Sequence, residues 1–213
     1  MSNHPKEDAR EAFLAAGRTL YLQCGYSGLS IRSLAAQAGL SSGMFHHLFT
    51  NKDAFVAEVL QRKYDEAFTQ LQSKIQIRQN VRENLHQVMT FLAFFVRDHL
   101  DWVTYIFADA LTGVKPVRHL VKEYAGMRHV SLMIELLLKA DRQGSLKPAS
   151  LSQRIIFLMT SVTAPMLIGS QLQKANLLPD MLAAQFLPDV ASDEAIKQRI
   201  DWALSALFIE EHT

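Results

Sequence analysis

Hydroxyl and imidazole side chains cluster in a short stretch near the N-terminus of the chain. This stretch, SSGMFHHLF, runs from Ser41 to Phe49. At about 100° per residue, a helix through it places the aromatic and aliphatic side chains on one side, with Gly43 and His47 opposite them. The outward side therefore carries small residues, a hydroxyl and two imidazoles, and no acidic group. Such a side can form hydrogen bonds with a polyanion; a plain helical hairpin within a core is the alternative.

Acidic and basic residues are unevenly distributed along the chain. The 213 residues include 22 Lys plus Arg and 21 Asp plus Glu, so the net charge of +1 does not by itself indicate a nucleic-acid partner. From Ala12 to Lys52, however, there is no acidic residue, whereas Arg18, Arg32 and Lys52 are basic. A surface that faces phosphates has to be positive or neutral. The local charge therefore agrees with contact to a nucleic acid.

Two short helices joined by a tight turn are predicted to position these groups. Apolar residues from Ile31 to Ala38 recur on one face of the first helix. Gly39 follows where the end of a helix commonly requires a positive φ, which glycine adopts readily. Ser30 and Ser41 stand where N-cap oxygens would accept hydrogen bonds from the first backbone N–H groups of the two helices. The pattern predicts a helix-turn-helix.

The rest of the chain is also predicted to be helical. Apolar residues recur at helical spacing in several further segments, and there is no alternation typical of strands, no internal repeat and no low-complexity linker. These segments cover residues 5–24, 50–73, 80–98, 101–111, 115–142, 150–174 and 192–210. Residues 175–190, which include Pro179 and Pro188, are predicted to be irregular or briefly helical. The predicted fold class is all-α.

The motifs of the N-terminal segment resemble those of a known family. Gly25–Tyr26 is a Gly-aromatic pair, Ser30 opens the second helix, and residues 35–53 read AAQAGLSSGMFHHLFTNKD. Residues 9–55 thereby resemble the DNA-binding domain of the TetR (tetracycline-repressor-like) family of transcriptional regulators. The pattern of that family is A-x-x-A-G-V-S-x-G-x-L-Y-x-H-F-x-x-K-E. One departure concerns a phosphate contact, because His46 stands where the family usually has Tyr.

The resemblance implies a division into two domains. Residues 1–50 would form the N-terminal helix-turn-helix domain of three helices, which binds DNA. Residues 51–213 would form a larger C-terminal helical domain for regulation, ligand binding and dimerisation, with the fourth helix as its connection to the first domain.

The resemblance also implies a function. The chain is expected to be a ligand-responsive transcriptional regulator, most often a repressor in this family. It would bind a palindromic operator in double-stranded DNA as a homodimer and be released by a small apolar or aromatic effector. An activator of the same family is one alternative, and an all-α small-molecule-binding enzyme without DNA binding is another. Because no phosphate-binding Gly loop, Gly-x-Ser-x-Gly elbow or Cys pair occurs, we expect no enzymatic activity. We also expect no cofactor, no metal site and no membrane partner.

The DNA contacts are predicted to come from the second and third helices and the start of the fourth. On the third helix, Gly43 would let the backbone come close to DNA, and Met44 can contact a thymine methyl group. Phosphates are expected to meet hydroxyls, an imidazole or helix N-termini. The candidates for base readout are Ser42, Gly43, Met44 and His47. The candidates for phosphate contact are Ser30, Ser41, His46 and Lys52, with Arg32 for a phosphate or a base edge.

The middle of the chain is rich in aromatic residues, which commonly form the walls of small-molecule pockets. A ligand cavity in this region is implied by the resemblance, and an apolar or aromatic ligand is suggested by the composition. The candidate ligand-binding residues are Phe94, Trp102, Tyr105, His119 and Met127. For each of them, an ordinary core position is the alternative.

The last two long helices are apolar around more of their circumference than a monomer surface usually is. The resemblance implies that they form a four-helix dimer interface, and the alternative is that both are simply core. The candidate interface residues are Ile155, Met159, Val162 and Met166 in one helix and Ile200, Leu204 and Leu207 in the other.

Two features bear on the cellular compartment. The longest uncharged run, Ile155–Gln173, has nineteen residues, so a membrane span must be considered, but its hydroxyl and amide side chains favour a buried helix. Cys24 is the single cysteine, so no intrachain disulfide can form, which agrees with a reducing compartment. A cytoplasmic location is predicted.

Overall fold

The computed structural model describes residues 4–75, 78–122 and 128–210, and its regular elements are helices. Twelve α-helices lie within these ranges, and the predicted all-α fold class is confirmed. They are α1 (His4–Gly28), α2 (Ile31–Ala38), α3 (Ser42–Leu48), α4 (Lys52–Lys74), α5 (Val81–Asp98), α6 (Leu100–Leu111), α7 (Lys115–Leu120), α8 (Arg128–Arg142), α9 (Leu151–Lys174), α10 (Asp180–Ala183), α11 (Phe186–Ala191) and α12 (Asp193–Leu207).

Some helix boundaries differ from those predicted. The segment 115–142 contains two helices, α7 and α8, rather than one, and the segment 175–190 forms the short helices α10 and α11. Helix α1 passes the predicted end at Gly25, where the backbone is kinked with φ 60° and ψ −166°. A Cβ at this position would lie 2.7 Å from the Cδ1 atom of Tyr105. Gly25 therefore allows both the positive φ and the close approach of α6.

The first compact unit combines Met1–Ala67 with Asp101–Met127. The buried side chains of α1, α2, α3 and the first half of α4 share one core with Trp102 of α6 and Val117 of α7. The units therefore do not follow the predicted boundary between residues 50 and 51. The physical reason is that α4, α6 and α7 bury apolar side chains against the N-terminal helices, which the order of segments along the chain does not reveal.

The second compact unit combines Phe68–Leu100 with Arg128–Thr213. Helices α5, α8, α9 and α12 pack together in it. Its core contains fully buried aliphatic side chains from each of these four helices, among them Val88, Leu137, Val162 and Ile200. Helices α9 and α12 thus each direct one apolar face into their own chain.

Helix α9 also has apolar residues outside this core. It is the one helix in the described ranges long and apolar enough to cross a membrane, with a mean hydropathy of 1.6 over its most apolar window, of which 33% is buried. The core helix of a soluble protein can meet the same criteria of length and composition. The observation is therefore weak evidence for a membrane, and the exposed apolar part of α9 needs another explanation.

Candidate nucleic-acid interface

The turn between α2 and α3 has the geometry that the sequence predicts. Gly39 ends α2 in the left-handed region, with φ 68° and ψ 27°. Ser41 caps α3, because its Oγ accepts a hydrogen bond from the N–H of Met44 at 3.2 Å. At the start of α2, the Oγ of Ser30 accepts from the N–H of Ser33 at 3.0 Å, and the Ser33 hydroxyl accepts from the N–H of Ser30 at 3.1 Å. Both helix starts are thus held by serine side chains, of which Ser33 was not predicted.

The predicted DNA-contacting residues lie together on α2, α3 and the start of α4. Eight of the nine are exposed and Lys52 is half-buried. The exposed ones are Ser30, Arg32, Ser41, Ser42, Gly43, Met44, His46 and His47. A Cβ built on Gly43 would have only the Ser41 Oγ near it, at 3.8 Å, so a ligand can come close to the backbone there. Neither α2 nor α3 contains an acidic residue.

The opposite side of α3 is fixed by aromatic packing. Phe45 is fully buried. Its ring lies 5.4 Å from that of Phe13 in α1, 5.1 Å from Phe49 and 5.2 Å from Phe55 in α4, with edge-on or tilted geometry. Such pairs add to the free energy gained by burial. The exposed side of α3 therefore has a defined orientation within this unit.

An arginine on α1 secures the C-terminal end of α3. Arg10 donates a hydrogen bond from Nη1 to the carbonyl oxygen of Leu48 at 2.9 Å, and its guanidinium lies 4.6 Å from the ring centre of Phe49. Glu58 of α4 forms an ion pair with Arg10 and accepts a second hydrogen bond from Arg62 at 3.0 Å. A cation at the last carbonyl groups of a helix is favourable. Sequence reasoning missed this contact because Leu48 and Glu58 are 38 and 48 residues from Arg10 along the chain. No helical spacing indicates contacts over such separations.

Lys52 is held at the start of α4 by its neighbours. Its Nζ lies 4.0 Å from the ring centre of Tyr26, and the Tyr26 hydroxyl donates a hydrogen bond to Asp53. That hydrogen bond, followed by burial and the nearby charge, raises the pKa of Tyr26 to about 12. Burial lowers the pKa of Lys52, an effect that the charge of Asp53 partly offsets. The side chain of Lys52 is therefore held in a defined position against the Tyr26 ring.

Solved structures of transcriptional regulators share this fold. A TetR-family transcription regulator from Marinobacter aquaeolei VT8 is 15% identical, with a TM-score of 0.67, and the match covers 98% of this chain and 100% of that one. A transcriptional regulator from Saccharomonospora viridis in complex with choline is 18% identical, with a TM-score of 0.68, over 96% of this chain and 100% of that one. At these identities the similarity shows the fold.

The sequence of the helix-turn-helix matches that of a known family. Residues 13–59 match the family model described as bacterial regulatory proteins, tetR family. This segment carries a TetR-family DNA-binding domain. The HTH-type transcriptional repressor NemR from Escherichia coli (strain K12) is 39% identical over 64 residues, which are 30% of this chain and 32% of that repressor. The chain thus matches about a third of the length of this relative. TetR-family proteins are DNA-binding transcriptional regulators rather than enzymes.

The predicted ligand-binding residues are divided between the two units. Phe94 is in the second unit, where it lines a cavity. Trp102 is buried in the first unit, 5.0 Å from the ring centre of Tyr21, and the Tyr105 hydroxyl donates to the carbonyl oxygen of Gln23 at 3.0 Å. Their surroundings are those of core residues. His119 is exposed on α7, and Met127 lies outside the described residues.

Most of the predicted dimer-interface residues face their own chain. Val162, Met166, Ile200, Leu204 and Leu207 are buried in the core of the second unit, and Ile155 and Met159 are partly buried against it. The opposite faces of the same helices carry the exposed apolar side chains Ile156, Ile168 and Trp202. The outward face of α9 is apolar as well, and α12 carries Trp202 outside its core face, so periodicity alone could not decide which face the chain itself covers.

Proposed function

We propose that this protein is a ligand-responsive transcriptional repressor that acts in the cytoplasm and binds a palindromic operator as a homodimer. The main support is the exposed, acid-free side of α3 in a domain whose sequence matches the TetR family. In this proposal α3 enters the major groove. Ser42, Gly43, Met44 and His47 face base edges, and Ser30, Arg32, Ser41, His46 and Lys52 face phosphates.

The proposed dimer uses the outward faces of α9 and α12. On α9 this face is uncharged from Gln153 to Gln171 and includes Ile156 and Ile168, which are 62% and 60% exposed. On α12, Trp202 is 62% exposed. Large apolar side chains exposed in this way commonly mark an interface. Pairing through a two-fold axis would supply the second α3 that a palindrome requires, at a separation of about 34 to 36 Å.

The proposal is tested by selecting fragments of the source genome with the purified protein. We expect the bound fragments to contain palindromes whose half-sites are separated by about one turn of DNA, and the protein to shift them in a gel. Genes next to the sites would indicate the regulated process. Fragments without a shared palindrome, or binding equal to that of random DNA at the same salt concentration, would contradict the proposal.

Replacing Lys52 with Ala is expected to weaken operator binding to a similar degree for all sequences. If the ammonium neutralises one phosphate, the slope of log affinity against log salt concentration should become shallower by about 0.9. Fluorescence anisotropy at several salt concentrations measures this slope. Lys63→Ala is the control, since Lys63 lies on the same helix and pairs with Glu66 at 3.8 Å. An unchanged slope for Lys52→Ala would remove this residue from the phosphate contacts.

Replacing His47 with Ala is expected to relax sequence preference at one position in each half-site. A lost contact to a base edge should reduce discrimination there by about 1 to 3 kcal/mol. Competition with operators substituted at single base pairs measures the change. His46→Ala is the control, because His46 is the adjacent exposed imidazole and is assigned to a phosphate. Equal weakening on all operators by His47→Ala would assign His47 to the DNA backbone instead.

A further inference from the structure

A cavity of about 480 Å³ lies in the second unit, between the C-terminal end of α4 and one face of α5. Phe91, Phe94 and Phe95 supply its aromatic wall. The imidazole of His99 packs against the ring of Phe95, with 4.5 Å between the ring centres. This volume is within the range of small-molecule sites, about 300 to 1,000 Å³. The wall is suited to flat aromatic ligands, on the order of two to three rings in size.

Polar groups that can orient a ligand stand beside this wall. Gln70 contributes an amide from α4, and Gln87 and Thr90 contribute an amide and a hydroxyl from α5. Amide and hydroxyl groups donate and accept hydrogen bonds without carrying a charge. They favour a ligand with a hydroxyl or carbonyl group on an aromatic framework.

Asp98 and His86, which line this cavity, already have partners within the protein. Asp98 accepts a hydrogen bond from Nε of Arg97 at 2.8 Å, and the Arg97 guanidinium lies 4.6 Å from the ring centre of Phe94. His86 lies with its Nε2 3.4 Å from the carboxylate of Asp201. A ligand that brought its own charge would have to be desolvated and would compete with these pairs. The charge balance therefore disfavours both carboxylate and ammonium ligands.

We propose that this cavity binds neutral, fused-ring aromatic molecules carrying a hydroxyl or carbonyl group, and that their binding releases the operator. The second part rests on the proposed repressor function. Two residues that line the cavity connect it with α4, the helix that begins at Lys52. Gln70 lies near the C-terminal end of α4, and Ile75 directly follows it. A ligand here thus contacts the end of the same α4 whose first residues lie beside the DNA-contacting side chains.

The experiment compares three ligands that share one ring system. The full-length protein is titrated calorimetrically with 2-naphthol, 2-naphthoate and 2-naphthylmethylamine at neutral pH. We expect 2-naphthol to bind at least about ten-fold more tightly than either charged analogue, because only the neutral ligand avoids burying an unpaired charge. Equal or tighter binding of a charged analogue, or no binding of 2-naphthol up to about 1 mM, would overturn the inference.

A matched pair of variants locates the site. Gln70→Trp should fill the cavity and reduce 2-naphthol affinity at least about ten-fold. Gln72→Trp is the control, because Gln72 lies on the same helix, is also exposed, and does not line the cavity. Circular dichroism checks that both variants fold. Binding of 2-naphthol to Gln70→Trp with wild-type affinity would contradict the assignment to this cavity.

Operator release is measured separately, so that the two proposals fail in different ways. We expect 2-naphthol to lower operator affinity of the wild-type protein and of Gln72→Trp, but not of Gln70→Trp. Binding at this cavity without operator release would support the ligand site and contradict the ligand response of the proposed repressor. Absence of operator binding by the free protein would contradict the repressor function, whereas the calorimetric comparison would still decide the ligand site.

Discussion

Replacing Trp202 with Arg should convert the protein to a monomer and lower its operator affinity by about a hundred-fold or more. Trp202 is 62% exposed on α12, although a large aromatic side chain is normally buried or in contact with a partner. In a two-fold interface the same substitution occurs in both copies. Each copy would lose about 2 kcal/mol of apolar burial and gain an unpaired charge. Together these losses correspond to at least about a thousand-fold in the dimer dissociation constant.

The expected loss of operator affinity follows from the number of α3 helices that can contact the operator at once. In the proposed dimer, one protomer contacts one half-site, and the second half-site increases affinity only while the two protomers are joined. A monomeric variant should therefore still show weak, salt-sensitive binding, since its α2 and α3 are unchanged. Loss of tight binding with retained weak binding separates a dimer defect from a folding defect.

Sedimentation velocity measures the oligomeric state, and anisotropy measures operator affinity. The control is Phe107→Arg, which introduces the same charge at an aromatic residue that is 56% exposed on α6, in the other unit. It should leave the dimer intact. A Trp202→Arg protein that remains dimeric at micromolar concentration would place the interface elsewhere, and a wild-type protein that is monomeric would contradict dimerisation itself.

On α9 and α12, the residues predicted to form the dimer interface differ from those that the folded chain leaves exposed. Composition identified α9 as unusually apolar, and its most apolar window has a mean hydropathy of 1.6. The outward face of α12, in contrast, carries Lys197, Gln198 and Asp201 beside Trp202. Period and composition selected Val162 and Ile200, which are fully buried in the chain's own core, rather than Ile156 and Trp202 on the opposite faces. The number of apolar residues is a property of each helix, but the face that the chain covers depends on where α5 and α8 pack.

The helix-turn-helix was predictable for the opposite reason, because its signals are local. Gly39 and Ser41 act on backbone groups a few residues away, and both adopt the predicted conformations. The contact of Arg10 with Leu48 and the position of Trp102 in the N-terminal core depend on residues far apart in the chain. Such contacts follow from tertiary packing, which a single sequence does not display.

Replacing Asp109 with Ala should lower the free energy of unfolding by about 2 to 4 kcal/mol. Asp109 is 7% exposed on α6. Its Oδ2 accepts hydrogen bonds from the hydroxyl of Tyr21 at 2.7 Å and from the backbone N–H of Tyr26 at 3.0 Å. Alanine would leave both donors without this acceptor, each at a cost of about 1 to 3 kcal/mol. Asp109→Asn keeps an acceptor oxygen and should lose less.

We expect this contact to affect DNA binding as well, because Tyr21 and Tyr26 belong to the last part of α1. The backbone between them bends at Gly25 with φ 60°, and Asp109 holds the N–H that follows the bend. Tyr26 in turn orients Lys52 at the start of α4. We therefore expect Asp109→Ala to reduce operator affinity even at a temperature at which the variant remains folded. Asp189→Ala, at an exposed position on α11, is the control and should change neither quantity appreciably.

The same contact predicts how stability depends on pH. Burial, and then the hydrogen bond and charge of Asp109, raise the pKa of Tyr21 above its usual value of 10.0. A raised pKa in the folded state means that the stabilisation is complete below the unfolded pKa and is lost as pH rises above it. The free energy of unfolding should thus fall above about pH 10. In Tyr21→Phe the free energy of unfolding should fall less over this pH range. The part of the decline that comes from Tyr26 should remain, since the pKa of Tyr26 is also raised.

Urea unfolding between about pH 8 and about pH 11 measures this dependence, with the slope against urea checked for two-state behaviour. Wild type and Tyr21→Phe should differ in their alkaline decline rather than only by a constant offset, because phenylalanine has no proton to lose. Parallel curves for the two proteins would show that the Tyr21 hydroxyl does not ionise on unfolding in this range. Wild-type stability of Asp109→Ala at neutral pH would show that the two donors find other acceptors when the carboxylate is removed.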